Sequence, residues 1–445
     1  MVEPRPPRAT VEFVDEYCQT YQNLFGDVRN YEYFKFLHIG MMSELPRKSL
    51  PQIARIVGLK DGQGLHHLLR DAVWDVEALR EMRLWLTKVT IGEQPIIVCI
   101  DETGDEKKGK ATDYVAKQYI GNLGRTANGI VSVNAYAVVD NITYPLLFKV
   151  FKPRTTLQEK DKYKTKPQLA VEILRELLDF GFNISLVLAD RLYGESGDVV
   201  GLLVEQKLPF IVAIRSNHVV WLSPQERIRY NRWQAYEQKL SHRSSETRYI
   251  REIVFGKRRE LRYFEITKSD SKQDASNTWF IMTNVSGKIQ QVLAQLYSLR
   301  NWIEYGFKQV KNQLGWADFR LTDYHSIERW WEIVFSAYLL VSLHALQFKS
   351  SISNPAAPTN STEKNSPAST GVTEEFSQHV WWELGTNWKS ALNNLRLIIQ
   401  PYIFWCLIEP WCQVFQVSGV KRGFFKLIEI MNDFRASPIK SAVAS

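Results

Sequence analysis

Apolar positions recur at helical spacing through the first ninety residues, and the pattern predicts helices there. "SLPQIARIVGL" (49–59) opens on a Ser N-cap candidate and ends near Gly58, and "GLHHLLRDAVWDVEALREMRLWL" follows as a second helix. Two helices around a glycine-containing turn suit a helix-turn-helix that reads DNA, and equally a plain bundle. From residue 95 the period changes. "PIIVCI" (95–100), "GIVSVNAYAVV" (129–139) and "ITYPLLFKV" (142–150) read as strands, the last two joined by a tight turn at "DN". A helix over 166–181, a fully apolar strand "ISLVLA" (184–189), a helix and the strand "PFIVAI" (209–214) complete an α/β pattern.

Residues 215–285 interrupt that rhythm. "RYIREIVF", "GK" and "RRELRYFEI" predict a hairpin with a two-residue turn, and "TWFIMTN" a third strand. One long helix is expected over 288–314 and a second, apolar one after 324. The stretch 350–375 is rich in Ser, Thr, Asn and Pro and reads as a disordered linker before a Trp-rich helical tail. The expected organisation is therefore a helical domain at 1–90, an α/β domain begun at 91–214, a β insertion at 215–285, closing helices at 286–349, the linker, and a helical region at 376–445.

Charge sharpens this picture. The 56 Lys+Arg exceed 48 Asp+Glu, a net +8 that suits an anionic partner. Between 239 and 272 there are ten Lys/Arg against five Asp/Glu, so the insertion is locally basic. The four cysteines (Cys18, Cys99, Cys406, Cys412) form no CxxC pair, and the pair His66 and His67 has no partner at ligand spacing, which argues against zinc and against a disulfide framework. The N-terminus has no apolar signal segment, and "VFSAYLLVSLHALQF" (334–348) is short for a bilayer span. A cytoplasmic, nucleoid-associated protein without membrane contact is expected.

Two chemistries compete in "IIVCIDETGDEKKGKAT" (96–112). A phosphate-cradling loop needs small residues between its glycines and a Ser or Thr after the lysine. Here Asp105, Glu106, Lys107 and Lys108 intervene and Ala111 holds the hydroxyl position, so that reading fails. The other reading is metal-assisted phosphoryl transfer, which needs carboxylates converging on divalent cations. Asp101 follows the strand "IIVCI" and Asp190 follows "ISLVLA", both at C-terminal strand ends where open α/β sheets place their sites. A third acid lies on the later helix. At about 100° per residue, Tyr297, Arg300, Glu304, Lys308 and Lys311 fall within roughly 80° of one another, away from an apolar face of Leu299, Ile303, Phe307, Val310 and Leu314. Such a stripe is either a solvated face stitched by pairs like Glu304–Lys308 or one acid for metal beside cations for phosphates. Lys107, Lys108, Lys110 and Arg191 are candidate phosphate contacts, or solvated surface; Glu102 and Asp105 are candidate supporting acids, with Glu102 expected to point away from Asp101 by strand alternation.

"YSLRNWIEYGFKQVK" fits Y-(2)-R-(3)-E-(6)-K through Tyr297, Arg300, Glu304 and Lys311, and with "DETG…KKGK…GNLGR" and "LAD…YG" it resembles the DDE transposases of bacterial insertion sequences, most of all family 701, over roughly residues 30–348. The resemblance implies a ribonuclease-H-like catalytic domain, a mixed sheet flanked by helices, with an inserted β-rich subdomain and a helical DNA-binding domain before it. It implies Asp101, Asp190 and Glu304 as catalytic and metal-binding residues for two Mg²⁺ ions, with Mn²⁺ as a substitute, and Tyr297, Arg300 and Lys311 on DNA, with Lys308 of the same stripe read as a further DNA contact from its position. It further implies double-stranded DNA partners (the terminal inverted repeats and a target), a homodimer when synapsed, and a base-stacking tryptophan among Trp221, Trp233 and Trp279. The alternatives are a domesticated, non-catalytic DNA-binding descendant and a ribonuclease-H-like nuclease without strand transfer.

Overall fold

Strand β1 runs from Ile96 to Glu106, past Ile100, where the apolar run that predicts it ends. In this computed structural model the described residues are 5–239, 245–257, 259–268, 278–353, 376 and 378–433. Two partners of unequal length explain the strand's reach. On one side it pairs antiparallel with β3 (Arg125–Val139) all the way to Glu106↔Gly129. On the other it pairs parallel with β5 (Ile184–Ala189) only as far as Ile100↔Ala189. Asp101 is therefore not at a strand end; it is the first residue beyond the point where β5 leaves, so its side of the sheet is open there.

The remaining strands build outward from this pair. β2 (Ala116–Ile120) and β4 (Ile142–Phe151) both pair with β3, and the β3–β4 turn holds Asp140 and Asn141 at φ 52° and 63°, the left-handed backbone that a two-residue hairpin requires. β6 (Phe210–Ile214) lies parallel beside β5. The expected insertion does not form a sheet of its own: β11 (Thr278–Thr283) pairs antiparallel with β6, and β10 (Arg262–Thr267), β9 (Ser245–Phe255), β8 (Gln234–Lys239) and β7 (Ile228–Tyr230) extend the same sheet. The hairpin expected to turn on "GK" instead has a longer loop, because β9 ends at Phe255, β10 starts at Arg262, and Gly256 takes φ 66° to begin the connection.

Helices cover both faces. Five precede β1: α1 (Glu12–Gln19), α2 (Val28–Met42), α3 (Leu50–Ile56), α4 (Gln63–Arg70) and α5 (Val76–Ile91). α6 (Lys166–Asp179), whose start is fixed by a capping box between Thr165 and Gln168, leads into β5, and α7 (Arg191–Gly194) and α8 (Gly197–Glu205) join β5 to β6. The helix expected over 288–314 is two, α9 (Gln290–Ser298) and α10 (Asn301–Asn312). Between them the bonds tighten to an i→i+3 pattern, Arg300 N to Tyr297 O at 3.0 Å and Ile303 N to Arg300 O at 3.1 Å, so Tyr297 does not lie on the axis that carries Glu304. α11 (Tyr324–Ser353) runs three residues past the expected linker start, and residues 354–375 of that linker lie outside the described ones. α12 (Trp388–Val414) and α13 (Val420–Met431) close the described chain.

The N-terminal helices share one core with the sheet. Arg83, fully buried on α5, donates to the carbonyls of Pro145 (2.6 Å) and Leu146 (2.8 Å) on β4, while Glu332 of α11 receives both Arg83 and Arg80. Trp316 and Trp331 stack at 4.5 Å beside Phe148. Removing one partner of such a buried ionic set leaves an uncompensated charge, so α5, β4 and α11 are held as a unit. No helix of the described residues is long and apolar enough to cross a membrane.

Candidate active site

Asp101, Asp190 and Glu304 come from three elements that meet beside the end of β5. Asp190 follows Ala189 and caps α7, its Oδ1 accepting from Leu192 N at 2.8 Å. α7 is pressed onto β6, where a Cβ on Gly194 would lie 2.0 Å from the Ala213 carbonyl; only glycine permits that approach, and it sets the depth at which Asp190 sits. Glu304 is delivered by α10, whose Ile303 and Val310 are buried. A Cβ on Gly306 would come 2.9 Å from the Tyr136 ring, so this glycine lets α10 lie close over β3.

Arg300 joins two of the three acids. Its Nη1 donates to Asp101 Oδ2 at 2.8 Å and its Nη2 to Glu304 Oε1 at 3.3 Å. The Asp101 side chain is 15% exposed, and its partial burial, with the charges of Asp190 and Glu102, pushes its carboxyl up to about 7 against the opposing pull of Arg300. Burial and the Glu102 charge likewise raise Asp190. Burial alone would lower the Arg300 guanidinium, but Tyr297, Asp101, Glu304 and Asp190 raise it on balance. Tyr297, also bonded to Arg300, is pushed up to about 12 chiefly by burial. The pocket is thus rich in mutually repelling carboxylates and relieved by one guanidinium. Among the described residues no three Asp, Glu, His or Cys side chains are gathered as a ready cation site; Glu304 is half exposed and turned to Arg300.

Strand alternation holds for Glu102. It points to the other side of β1, where Tyr193 Oη donates to its Oε2 at 3.0 Å and Lys166 Nζ to its Oε1 at 3.2 Å. This Glu102–Tyr193–Lys166 set ties β1 to α7 and α6 beneath Asp190, and no sequence signal marked Tyr193 or Lys166 as its partners.

The cations divide into engaged and open ones. Lys311 is not a free phosphate contact: its Nζ donates to the Gly104 carbonyl at 2.6 Å and pairs with buried Asp105 at 2.8 Å, clamping α10 to β1. Lys107 is also occupied, its Nζ 3.6 Å from the centre of the Phe319 ring and 3.5 Å from the Ala317 carbonyl. Lys108, Lys110, Arg191 and Lys308 are exposed around the site. In the insertion much of the basic charge is paired, Arg251 with Glu265, Arg262 with Glu252, Arg259 with Glu226 and Arg248 with Glu246. Arg251 covers Trp233 and Arg248 covers Trp279, whereas Trp221 is 86% exposed. On the N-terminal helices, Gln52 and Arg55 of α3 and Gln63, His67 and Arg70 of α4 face solvent.

Comparison with known proteins gives the family. A family described as "DDE superfamily endonuclease" matches residues 23–253, a span that holds Asp101 and Asp190 and stops before Glu304. The chain is 53% identical over 329 residues to a "Probable transposase for insertion sequence element IS701" from Microchaete diplosiphon, covering 74% of this chain and 87% of that protein. Among solved structures it is similar to a piggyBac transposase synaptic complex with hairpin DNA at 10% identity and a TM-score of 0.43, over 95% of this chain and 81% of that one.

Proposed function

Because the chain belongs to the insertion-sequence 701 transposase family, with the nuclease domain of the DDE superfamily endonucleases, we propose that it cuts the ends of its own element and joins them to target DNA, using Asp101, Asp190 and Glu304 as the catalytic carboxylates. The observation that carries this reading is Arg300 set between Asp101 and Glu304, next to Asp190. It marks the place where acids of separate elements share one positive charge.

The donor set fits a hard divalent cation. All three groups offer oxygen, and the charge repulsion that raises Asp101 and Asp190 is what a cation relieves. Enzymes of this superfamily work with divalent metal ions; we assign two Mg²⁺ ions to Asp101, Asp190 and Glu304, where they would supply Lewis-acid stabilisation of the attacked phosphate. Arg300 would hold a phosphate oxygen through its planar fork, with Tyr297 beside it. Lys311 and Asp105 keep α10 seated on β1, which fixes where Glu304 can reach. Lys308, Lys108, Lys110 and Arg191 ring the opening and suit flanking phosphates. The solvent-facing polar side chains of α3 and α4 suit recognition of the terminal repeats.

Two copies, one on each DNA end, are the proposed assembly. The described C-terminal hairpin supports it: Phe404, Trp411, Phe415 and Phe425 are between 46% and 67% exposed, an apolar surface that a soluble chain covers.

The test is cleavage of a duplex carrying the element's end, in Mg²⁺, by wild type, Asp190→Asn and Glu304→Gln. Both variants should lose at least a hundredfold while keeping the wild-type melting profile. Full cleavage by either would remove that residue from the catalytic set.

A further inference from the structure

We propose that residues 152–166, between β4 and α6, form a basic strap that binds the phosphates of the second duplex, the target DNA, beside the active site; this rests on the transposase reading above. The stretch "KPRTTLQEKDKYKTK" carries six Lys/Arg against two Asp/Glu.

Topology places the strap at the site. β4 and β1 are both antiparallel to β3, so they run parallel, and Asp101, Asn134 and Phe148 share one row across them. The chain leaves β4 at Phe151, three residues beyond that row, level with Gly104 of β1. It returns at Lys166, which bonds Glu102, next in sequence to Asp101 but on the opposite side of β1. β4 lies two strands from β1, about 10 Å. With the three residues along β4 the strap begins about 14 Å from Asp101, and since a strand of DNA advances about 3.4 Å per phosphate, a duplex attacked at Asp101 presents to the strap phosphates about four nucleotides away.

The strap's own contacts separate cations that shape it from cations that face outward. Lys152 pairs with Asp161 and lies 4.6 Å from the Tyr114 ring centre; Asp161 also accepts from Gln158 N at 2.9 Å. Lys164 pairs with Glu172 at 2.5 Å. These bonds order the backbone and neutralise Asp161. Lys160 and Lys162 are exposed, and they line a cleft of about 390 Å³ together with Lys149, Lys152 and Lys164. The cleft's acids are already engaged, Glu77 and Glu328 by Arg80 and Glu172 by Lys164. Arg154 is exposed and stacked 4.3 Å from the Tyr163 ring centre, which holds its guanidinium in place.

Position assigns the strap to the target rather than the end. In the sheet, β4 flanks β1 and β5 on one side, while β6 and the inserted strands flank them on the other. A transposase must hold two duplexes at one set of carboxylates, and two separate basic elements on opposite sides of those carboxylates provide for both. Lysines suit the target side, since a flexible point charge reads phosphate without reading sequence.

The experiment compares full-length wild type with Arg154→Ala/Lys160→Ala/Lys162→Ala. The first readout is binding of a fluorescein-labelled random-sequence duplex across a salt series. Loss of three phosphate contacts should make the slope of log K against log salt shallower by about 2 to 3. The second is chemistry: joining of pre-cut ends to plasmid should fall at least tenfold, with cleavage of uncut ends within twofold of wild type. Lys160→Arg/Lys162→Arg should keep both. An unchanged salt slope overturns the strap, as does cleavage falling as far as joining. If wild type cleaves and joins nothing, the transposase reading fails on its own, and the binding slope still decides whether the strap holds DNA.

Discussion

Arg300 donates to Asp101 at 2.8 Å from the junction of α9 and α10, and the same guanidinium reaches Glu304 at 3.3 Å. A residue of the family signature that faces phosphate in one reading thus spends its charge on two acids of the site. The guanidinium and a divalent ion are competitors for the same oxygens.

Arg300→Gln therefore separates two effects. Without DNA, the variant should bind Mn²⁺ several-fold more tightly than wild type by calorimetry or by the electron paramagnetic resonance of the free ion. With DNA, it should cleave at least tenfold more slowly, about 1.4 kcal/mol of transition-state stabilisation lost with the phosphate contact. Weaker Mn²⁺ binding in the variant would show that Arg300 organises the acids instead of competing for them.

Lys311 makes a different contribution from the one its place in the signature suggests. Its partner Asp105 is 7% exposed, so Lys311→Gln strands a nearly buried carboxylate. The expected loss is about 3 kcal/mol in chemical denaturation, with part recovered in Lys311→Gln/Asp105→Asn. If the single variant is as stable as wild type and only DNA affinity falls, the clamp assignment is wrong.

Much of this site was legible in the sequence, for reasons that differ by residue. Asp101 and Asp190 stood out because apolar runs stop at them, and Glu304 because a fixed spacing of Tyr, Arg, Glu and Lys is rare by chance. The continuation of β1 through Glu106 was hidden, since an acidic, glycine-containing stretch has loop composition; only the long partner β3 makes it a strand. The break after Ser298 was hidden too, because no proline or glycine marks it and the i→i+3 bonds appear only in three dimensions. The pairing of Lys311 with Asp105 spans two elements that no local pattern connects. Its neutralisation of the acid could not be read from charge counts.

Stability should fall between pH 6.5 and 4. His38 and His344 are fully buried, and burial lowers each from 6.5 to about 4. His38 bonds both the Phe34 carbonyl (2.8 Å) and Ser336 Oγ (2.9 Å), which a neutral ring satisfies with one donor and one acceptor. A depressed folded pKa means that the unfolded chain takes up protons first, so stability is intact above 6.5 and drains as the pH approaches 4. Each histidine contributes about 3 kcal/mol over that window. Asp101, Asp190 and Glu328 act with the opposite sign: burial raises all three, so they favour the folded state as the pH falls towards 4 and offset part of the histidine loss. Denaturant midpoints taken at pH 7, 6, 5 and 4 should decline, and less steeply in His38→Gln; a flat profile would mean that the buried imidazoles are not held neutral.

The C-terminal hairpin gives the last expectation. Trp411 and Phe415 stack at 6.4 Å at the end of α12 while remaining 67% and 61% exposed, and Val414, Val417, Phe425, Leu427 and Ile430 add to the same two helices and their connection. Large side chains of this kind expose on the order of 100 Å² each, so the patch approaches the roughly 800 Å² that one partner contributes to a stable interface. Two copies meeting hairpin to hairpin would bury it twice over, the self-complementary arrangement of a twofold dimer. Light scattering should therefore find wild type at twice the chain mass in the absence of DNA and Trp411→Glu/Phe415→Glu at the single mass, with circular dichroism unchanged. The variant's joining of both DNA ends should fall while nicking of a single end persists. A wild type that runs as a monomer on and off DNA, or a variant that stays dimeric, would exclude the hairpin as the contact between copies.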